Sequence, residues 1–257
     1  MGALTPLRTF RHSLRRMVAR PARELDPAQA YDLWAATYDD TSGNALLHVE
    51  ESAFAATLET LDLREKAVLD AGCGTGRHFA GILNRGPASL TGIDISGNML
   101  QQAAGKAPPG ASPLLCLATV EDVPFRDEAF DCIISTLVLD HVPHLERGLV
   151  ELCRVLRPRG ILLVTTFHPF GKLLSWERSF QAPTGAGNKG WYSARYFFHS
   201  HADYFNILRG CGMEVLRMEE PVIDDSIKHF YERAGRLDIF RRFRGYPMLL
   251  TFVARRT

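Results

Sequence analysis

Three glycines at alternate positions, Gly72, Gly74 and Gly76, break the apolar run in VLDAGCGTGRHFAGILNRG. Glycine loses more conformational freedom on folding than any other residue, so the series points to positive φ angles or to a ligand lying against bare backbone. Asp70 stands two residues before the first glycine, and Asp94 closes the apolar stretch SLTGID. The G-x-G-x-x-G spacing of dinucleotide folds fails here, because Arg77 holds the place of the third glycine. A carboxylate so near the turn also suits a cationic ligand better than a diphosphate, which favours a bare helix N-terminus. Asp94 could alternatively cap the following helix, a role that Ser96 fills better.

Nine histidines raise acid–base and metal chemistry. HSH puts His199 and His201 on one face if the segment is extended, and DHVPH holds His141 and His144. No third and fourth ligand can be assigned to either pair, so no metal site is expected. His168, His199 and His201 flank or lie within an aromatic-rich stretch and are the candidate bases, since imidazole titrates near neutral pH. A loop hydrogen bond is the plain alternative for each, and His141 is expected to close a turn.

These residues need a frame. From Lys66 onward, apolar runs alternate with helix-like stretches: AVLDAG, SLTGIDIS, PLLCLATV, FDCIISTLVL and GILLVTTF read as strands. GRHFAGILNR, GNMLQQAAGKA and LERGLVELCRVLR read as the helices between them. Such alternation implies βαβ units and an α/β fold, a Rossmann-like doubly wound, mostly parallel sheet covered on both faces. The pattern lapses after Phe167 into a segment rich in aromatics, Gly, Pro and His, without a steady period, which reads as a cap or lid insertion. A helix (ADYFNILRGCG), a strand (MEVLRMEE) and a closing strand (PMLLTFVARR), one of them an antiparallel edge strand, complete the sheet. Pro221 to Tyr246 leaves room for a further helix. The division that follows is 1–45 as basic arm and helical cover, 46–168 as core, 169–205 as cap and 206–257 as completion of the sheet.

The chain has 257 residues, is 46% hydrophobic and carries a formal charge of +1. That balance speaks against a nucleic-acid partner, and no apolar stretch is long enough to insert stably in a bilayer. Five cysteines without a C-x-x-C pair argue against a disulfide framework and fit a reducing, cytoplasmic setting. The first 23 residues hold six arginines and no acid. They read as a basic arm over the domain or over a second subunit, which would make a homodimer.

VLDAGCGTGRH closely resembles the first motif of the class I S-adenosylmethionine-dependent methyltransferases. TGIDISGNML, ATVEDVPFRDEAFDCIISTLVLDHV and LVELCRVLRPRGILLVTTF are similar to that family's later blocks, in its order and spacing. The resemblance runs from about Tyr31 to Phe167 and returns at the last strand. It implies S-adenosyl-L-methionine as cofactor, with Gly72 and Gly74 against its amino-acid and ribose parts and Asp94 accepting from the ribose hydroxyls. It further implies that Asp70 orders the turn and helps hold the ammonium, and that adenine rests against Ile95, Met99 and Val120. Glu121 is preserved, but the acid that many relatives carry two residues earlier is Thr119 here. Tyr38, in the stretch resembling the pre-core helix, would close over the methionine end, and Leu137 would line the site after the fourth strand.

The acceptor should lie outside the carboxyl ends of the strands. His141, Trp176, Trp191, Tyr192 and Tyr204 are the candidate substrate-binding residues, with aromatics lining a pocket for a flat or apolar small molecule. The (N/D)-P-P-(Y/F) motif of amino-methylating nucleic-acid enzymes is absent, the place reading STLVLDHV. Methyl transfer to an O, N or C atom of a small metabolite is therefore expected. The alternatives are a protein or RNA acceptor, or a cofactor-binding protein without turnover.

Overall fold

The computed structural model describes residues 22–40, 44–108, 110–174, 176, 178–184 and 188–257; the basic arm up to residue 21 lies outside them. The glycine turn follows a strand, β2 (Ala67–Ala71), and leads into a short helix, α3 (Phe79–Leu83). Two more strand–helix pairs come next: β3 (Ser89–Asp94) with α4 (Gly97–Lys106), then, after β4 (Leu114–Leu117), β5 (Phe130–Thr136) with α5 (Leu145–Val155). The parallel series ends with β6 (Leu156–Phe167), and the chain returns through β9 (Met213–Glu219) and β10 (Leu249–Arg256). The sheet order is β4-β3-β2-β5-β6-β10-β9. β10 runs antiparallel to both of its neighbours, one place in from that edge.

Successive side chains of a strand face opposite sides, so an unbroken apolar run supplies two cores. Leu69, Ile133 and Val164 meet Leu145, Leu149 and Leu152 of α5 and Tyr204 of α7 (His201–Gly210). Val68, Ile134 and Leu163, from the same strands, meet Phe54 and Leu58 of α2 (Ala45–Leu58) and Phe79 and Ile82 of α3. Both faces are covered, as the βαβ alternation implies.

The segment 169–205 is more regular than its composition foretells. A short helix, α6 (Pro169–Leu173), precedes a hairpin of β7 (Ser179–Pro183) and β8 (Lys189–Ala194). β8 also pairs in parallel with β1 (Arg23–Leu25), forming a second sheet of three strands. The strands are short, and β1 is remote in sequence, so no local period announces them. Between β9 and β10 stand two helices, α8 (Lys228–Arg233) and α9 (Leu237–Phe243), where the sequence left room for one.

The N-terminal cover is bound to the glycine turn and its neighbours by three acids. Asp32, in α1 (Pro27–Trp34), accepts from Ser96 Oγ and, at 3.2 Å, from Asn98 N. Asp39 accepts from Thr75 Oγ1 at 2.8 Å and pairs with Lys106. Glu50 of α2, fully buried, receives Arg77 and, at 3.1 Å, Thr165 Oγ1. Among the described residues no helix is long and apolar enough to cross a membrane.

Candidate active site

The three glycines of the turn all have positive φ, for two different reasons. A Cβ at Gly72 would sit 2.2 Å from Val138 Cγ2, and one at Gly76 would sit 2.8 Å from the Phe79 ring. A Cβ at Gly74 would meet nothing within 4 Å. Two glycines thus make room for the protein itself, and one faces open space. Asp94 organises the turn: Oδ2 accepts from Gly74 N at 2.8 Å and Oδ1 from Ser96 N at 2.9 Å. Ser96 in turn caps α4, its Oγ accepting from Met99 N at 3.1 Å. Burial raises the Asp94 carboxyl, while the N–H groups of Ser96 and Gly74 pull it down. Asp70 does not order the turn by hydrogen bonding. Its carboxylate is 1% exposed, and neither oxygen has a partner among the described residues. Burial pushes its carboxyl up to about 7, against the pull of Arg77.

A cavity of about 530 Å³ opens in front of Gly74. Gly72, Asp94, Ile95 and Met99 form one wall, and Val120, Glu121 and Leu137 another, with Tyr31 and Tyr38 above. Glu121 Oε1 is buried without a partner among the described residues, so this wall holds an unused acceptor. Thr119 lines the same space and accepts from Glu121 N at 3.2 Å through Oγ1. Asp122 is exposed and lies outside the wall.

A second cavity of about 690 Å³ adjoins the first and shares Tyr31, Tyr38 and Leu137 with it. Leu137 sits just past β5 with φ +56°, a strained conformation for a branched side chain. Trp34, Trp176, Phe180 and Phe243 give the second cavity apolar walls, and Arg178 reaches into it. At the junction, His141 Nε2 accepts from the Tyr31 hydroxyl and from Arg178 Nη2, both at 2.8 Å. His141 Nδ1 lies 2.6 Å from the Arg195 carbonyl oxygen, which can only accept, so the ring proton sits on Nδ1. Burial pushes the imidazole down to about 4, with Arg178 adding to the shift and Asp140 opposing it.

Residues 69–164 match the methyltransferase domain family. A phthiotriol/phenolphthiotriol dimycocerosates methyltransferase of Mycobacterium ulcerans is 37% identical over 125 residues, 47% of this chain and 45% of that protein. A malonyl-[acyl-carrier protein] O-methyltransferase of Halorhodospira halophila is 30% identical over 142 residues, 55% of this chain and 48% of that one. The chain thus spans about half the length of these relatives. The solved S-adenosylmethionine-dependent methyltransferase of Mesorhizobium loti superposes with a TM-score of 0.60 at 23% identity, covering 81% of this chain and 98% of that one. Residues 69–164 thus match a methyltransferase domain, on a fold shared with solved S-adenosylmethionine-dependent methyltransferases.

Around this methyltransferase domain the residues singled out in the sequence fall into three groups. Tyr38, Gly72, Gly74, Asp94, Ile95, Met99, Val120, Glu121, Leu137 and His141 line the first cavity, whereas Asp70 lies behind its wall. Trp176 and Trp191 line the second. The remaining candidates line neither cavity. Tyr192 packs against Phe180 beneath the hairpin, and Tyr204 is buried in the core with its hydroxyl 3.4 Å from Thr166 Oγ1. His199 Nε2 donates to the Val142 carbonyl at 2.8 Å. His168 and His201 both donate from Nε2 to Glu220 Oε1, at 3.0 and 2.9 Å. Their ligand atoms lie within 4.8 Å of one another, a spacing that could hold a metal ion. The His168 Nδ1 already accepts from Phe170 N at 3.2 Å, which keeps the proton on Nε2 and closes the trio as a hydrogen-bonded cluster. Arg178 went unnoticed in the sequence. Only its place among aromatic residues could have marked it.

Proposed function

We propose that this chain transfers the methyl group of S-adenosyl-L-methionine to a small-molecule acceptor with an apolar body. The observation that carries this reading is the meeting of two cavities at Tyr31, Tyr38 and Leu137. One is floored by the glycine turn and the other is walled by aromatic side chains. The cofactor, when bound, supplies a methyl already activated on a sulfonium. The chain's task is then alignment, which can provide much of the rate when the reacting atoms are held about 3–3.5 Å apart.

The residues present fit the cofactor. Asp94 uses one lone pair of each oxygen on the turn and keeps the others for a ribose diol. Glu121 Oε1, buried and without a partner among the described residues, suits an adenine amino group, the role that the acid absent at Thr119 serves in many relatives. Asp70, raised by burial to about 7 and without a hydrogen-bond partner among the described residues, would have its charged form favoured by a cationic ligand nearby. Tyr31 and Tyr38 cover the junction and exclude water from the transfer path.

Calorimetric titration with S-adenosylmethionine tests the first half of the reading, and S-adenosylhomocysteine release with a metabolite panel tests the second. Absence of cofactor binding by the folded chain would overturn it. Binding without turnover on any acceptor would leave a cofactor-binding protein instead.

A further inference from the structure

Among the described residues, those that line both cavities offer protic groups but no vacant base. Tyr31, Tyr38 and Leu137 are the residues that line both spaces. Burial raises both phenols, so each arrives protonated. Tyr31 donates to His141, whose Nε2 lone pair also receives Arg178. A proton added there would place an imidazolium beside a guanidinium in a buried space. An acceptor whose nucleophilic electron pair is already free needs no such proton transfer.

Arg178 supplies the complementary half. Its side chain is 15% exposed and lines the acceptor cavity. The rings of Phe167 and Tyr196 stand 5.0 and 5.4 Å from Cζ and help to fix the guanidinium. Nη2 serves Asp140 and His141, while Nε and Nη1 have no partner among the described residues. Asp140 stands behind Arg178 and is not part of the cavity wall. Among the described residues Lys189 and Arg236 add two cations to that wall, against one acid, Asp40. The cavity therefore joins apolar walls to a positive field that is strongest in donors next to the junction.

We propose that the acceptor is a carboxylic acid with an apolar body, held by Arg178, and that the product is its methyl ester. This rests on the methyl-transfer reading above. A lone pair of the carboxylate oxygen forms the O–CH3 bond as the S–CH3 bond breaks, and the electron pair of the broken bond remains on sulfur. Anion and sulfonium become ester and thioether, and no proton leaves. An alcohol or amine acceptor would instead release one proton per methyl.

The test is calorimetry on the full chain saturated with S-adenosylhomocysteine. Decanoate, cinnamate and 1-naphthoate serve as probes, each compared with its primary amide. The acids should bind at least about tenfold more tightly than the amides, the worth of a charge-assisted contact. Arg178→Gln should erase that preference and leave S-adenosylhomocysteine affinity in place, and Arg178→Lys should restore part of it. For any acid that turns over, an indicator assay in weak buffer should register no proton per methyl ester formed. Acids that bind no better than their amides in the parent protein, including no binding by either, overturn the proposal. So does an acid preference that survives Arg178→Gln in a folded protein. If Arg178→Gln fails to fold, the parent comparison decides by itself. Failure of S-adenosylhomocysteine to bind would count against the cofactor reading, not against the carboxylate.

Discussion

A methyl group added at Gly74 points into the cavity, and one added at Gly72 collides with Val138. The two glycines should therefore fail differently. Gly74→Ala should remain folded, losing about 1–2 kcal/mol for a side chain in the left-handed region, and should bind S-adenosylhomocysteine poorly. Gly72→Ala should lose more stability than Gly74→Ala, because Val138 must also shift to admit it. Circular dichroism and calorimetry separate the two outcomes. Asp94→Ala removes the acceptor for two turn N–H groups as well as the ribose contact, so a folded variant should bind about tenfold to a hundredfold more weakly. Asp70 yields a pH signature. Its folded pKa, about 7, lies above its ordinary value of 3.8. Between those values the unfolded chain has released a proton that the folded chain keeps. The contribution is full below the lower value and is lost as pH rises to the upper one, on the order of a few kcal/mol. Asp70→Asn should thus stabilise the cofactor-free chain more at about pH 8 than at about pH 5, read by urea unfolding. An equal gain at both would contradict the burial of an unpaired carboxylate.

The cover helix α2 is attached at the element scale by a charge. Glu50 is fully buried, and its pKa is lowered because His78 and Arg77 outweigh the cost of burial. Glu50→Gln would leave Arg77 without its counter-ion and should cost about 3 kcal/mol. Combining it with Arg77→Met should recover much of that loss, since the cost of breaking a buried ion pair comes from the charge left uncompensated, and the double variant leaves none. Urea unfolding of the single and double variants gives the answer. This pair also accounts for the residue that breaks the dinucleotide pattern: where that pattern has a glycine, Arg77 anchors the cover. The parallel strands and their helices were legible because each apolar run is local and its period strong. β7 and β8 were not, because their partner β1 lies near the other end of the chain and their alternation is only five and six residues long.

Across the molecule, the cover, the strand ends and the hairpin region combine to enclose two joined cavities. Trp176 lines the second without lining the first. Trp176→Ala should accordingly raise KM for an apolar acceptor while leaving cofactor affinity unchanged, a split that steady-state kinetics and calorimetry resolve. A fall in cofactor affinity would mean that the cavities do not act separately. The glycine turn, Asp94 and the strand–helix alternation of a doubly wound sheet were already determined by residue type and spacing, because they follow from backbone conformation and from apolar periods within short windows. The use of each histidine was not, since an imidazole in a loop takes its role from whichever groups the fold brings to its two nitrogens. Tertiary structure directed His168, His199 and His201 to a carboxylate and a carbonyl, and set His141 between Tyr31 and Arg178. It also brought Arg178 beside a turn 37 residues earlier in the chain, a contact that no local pattern encodes.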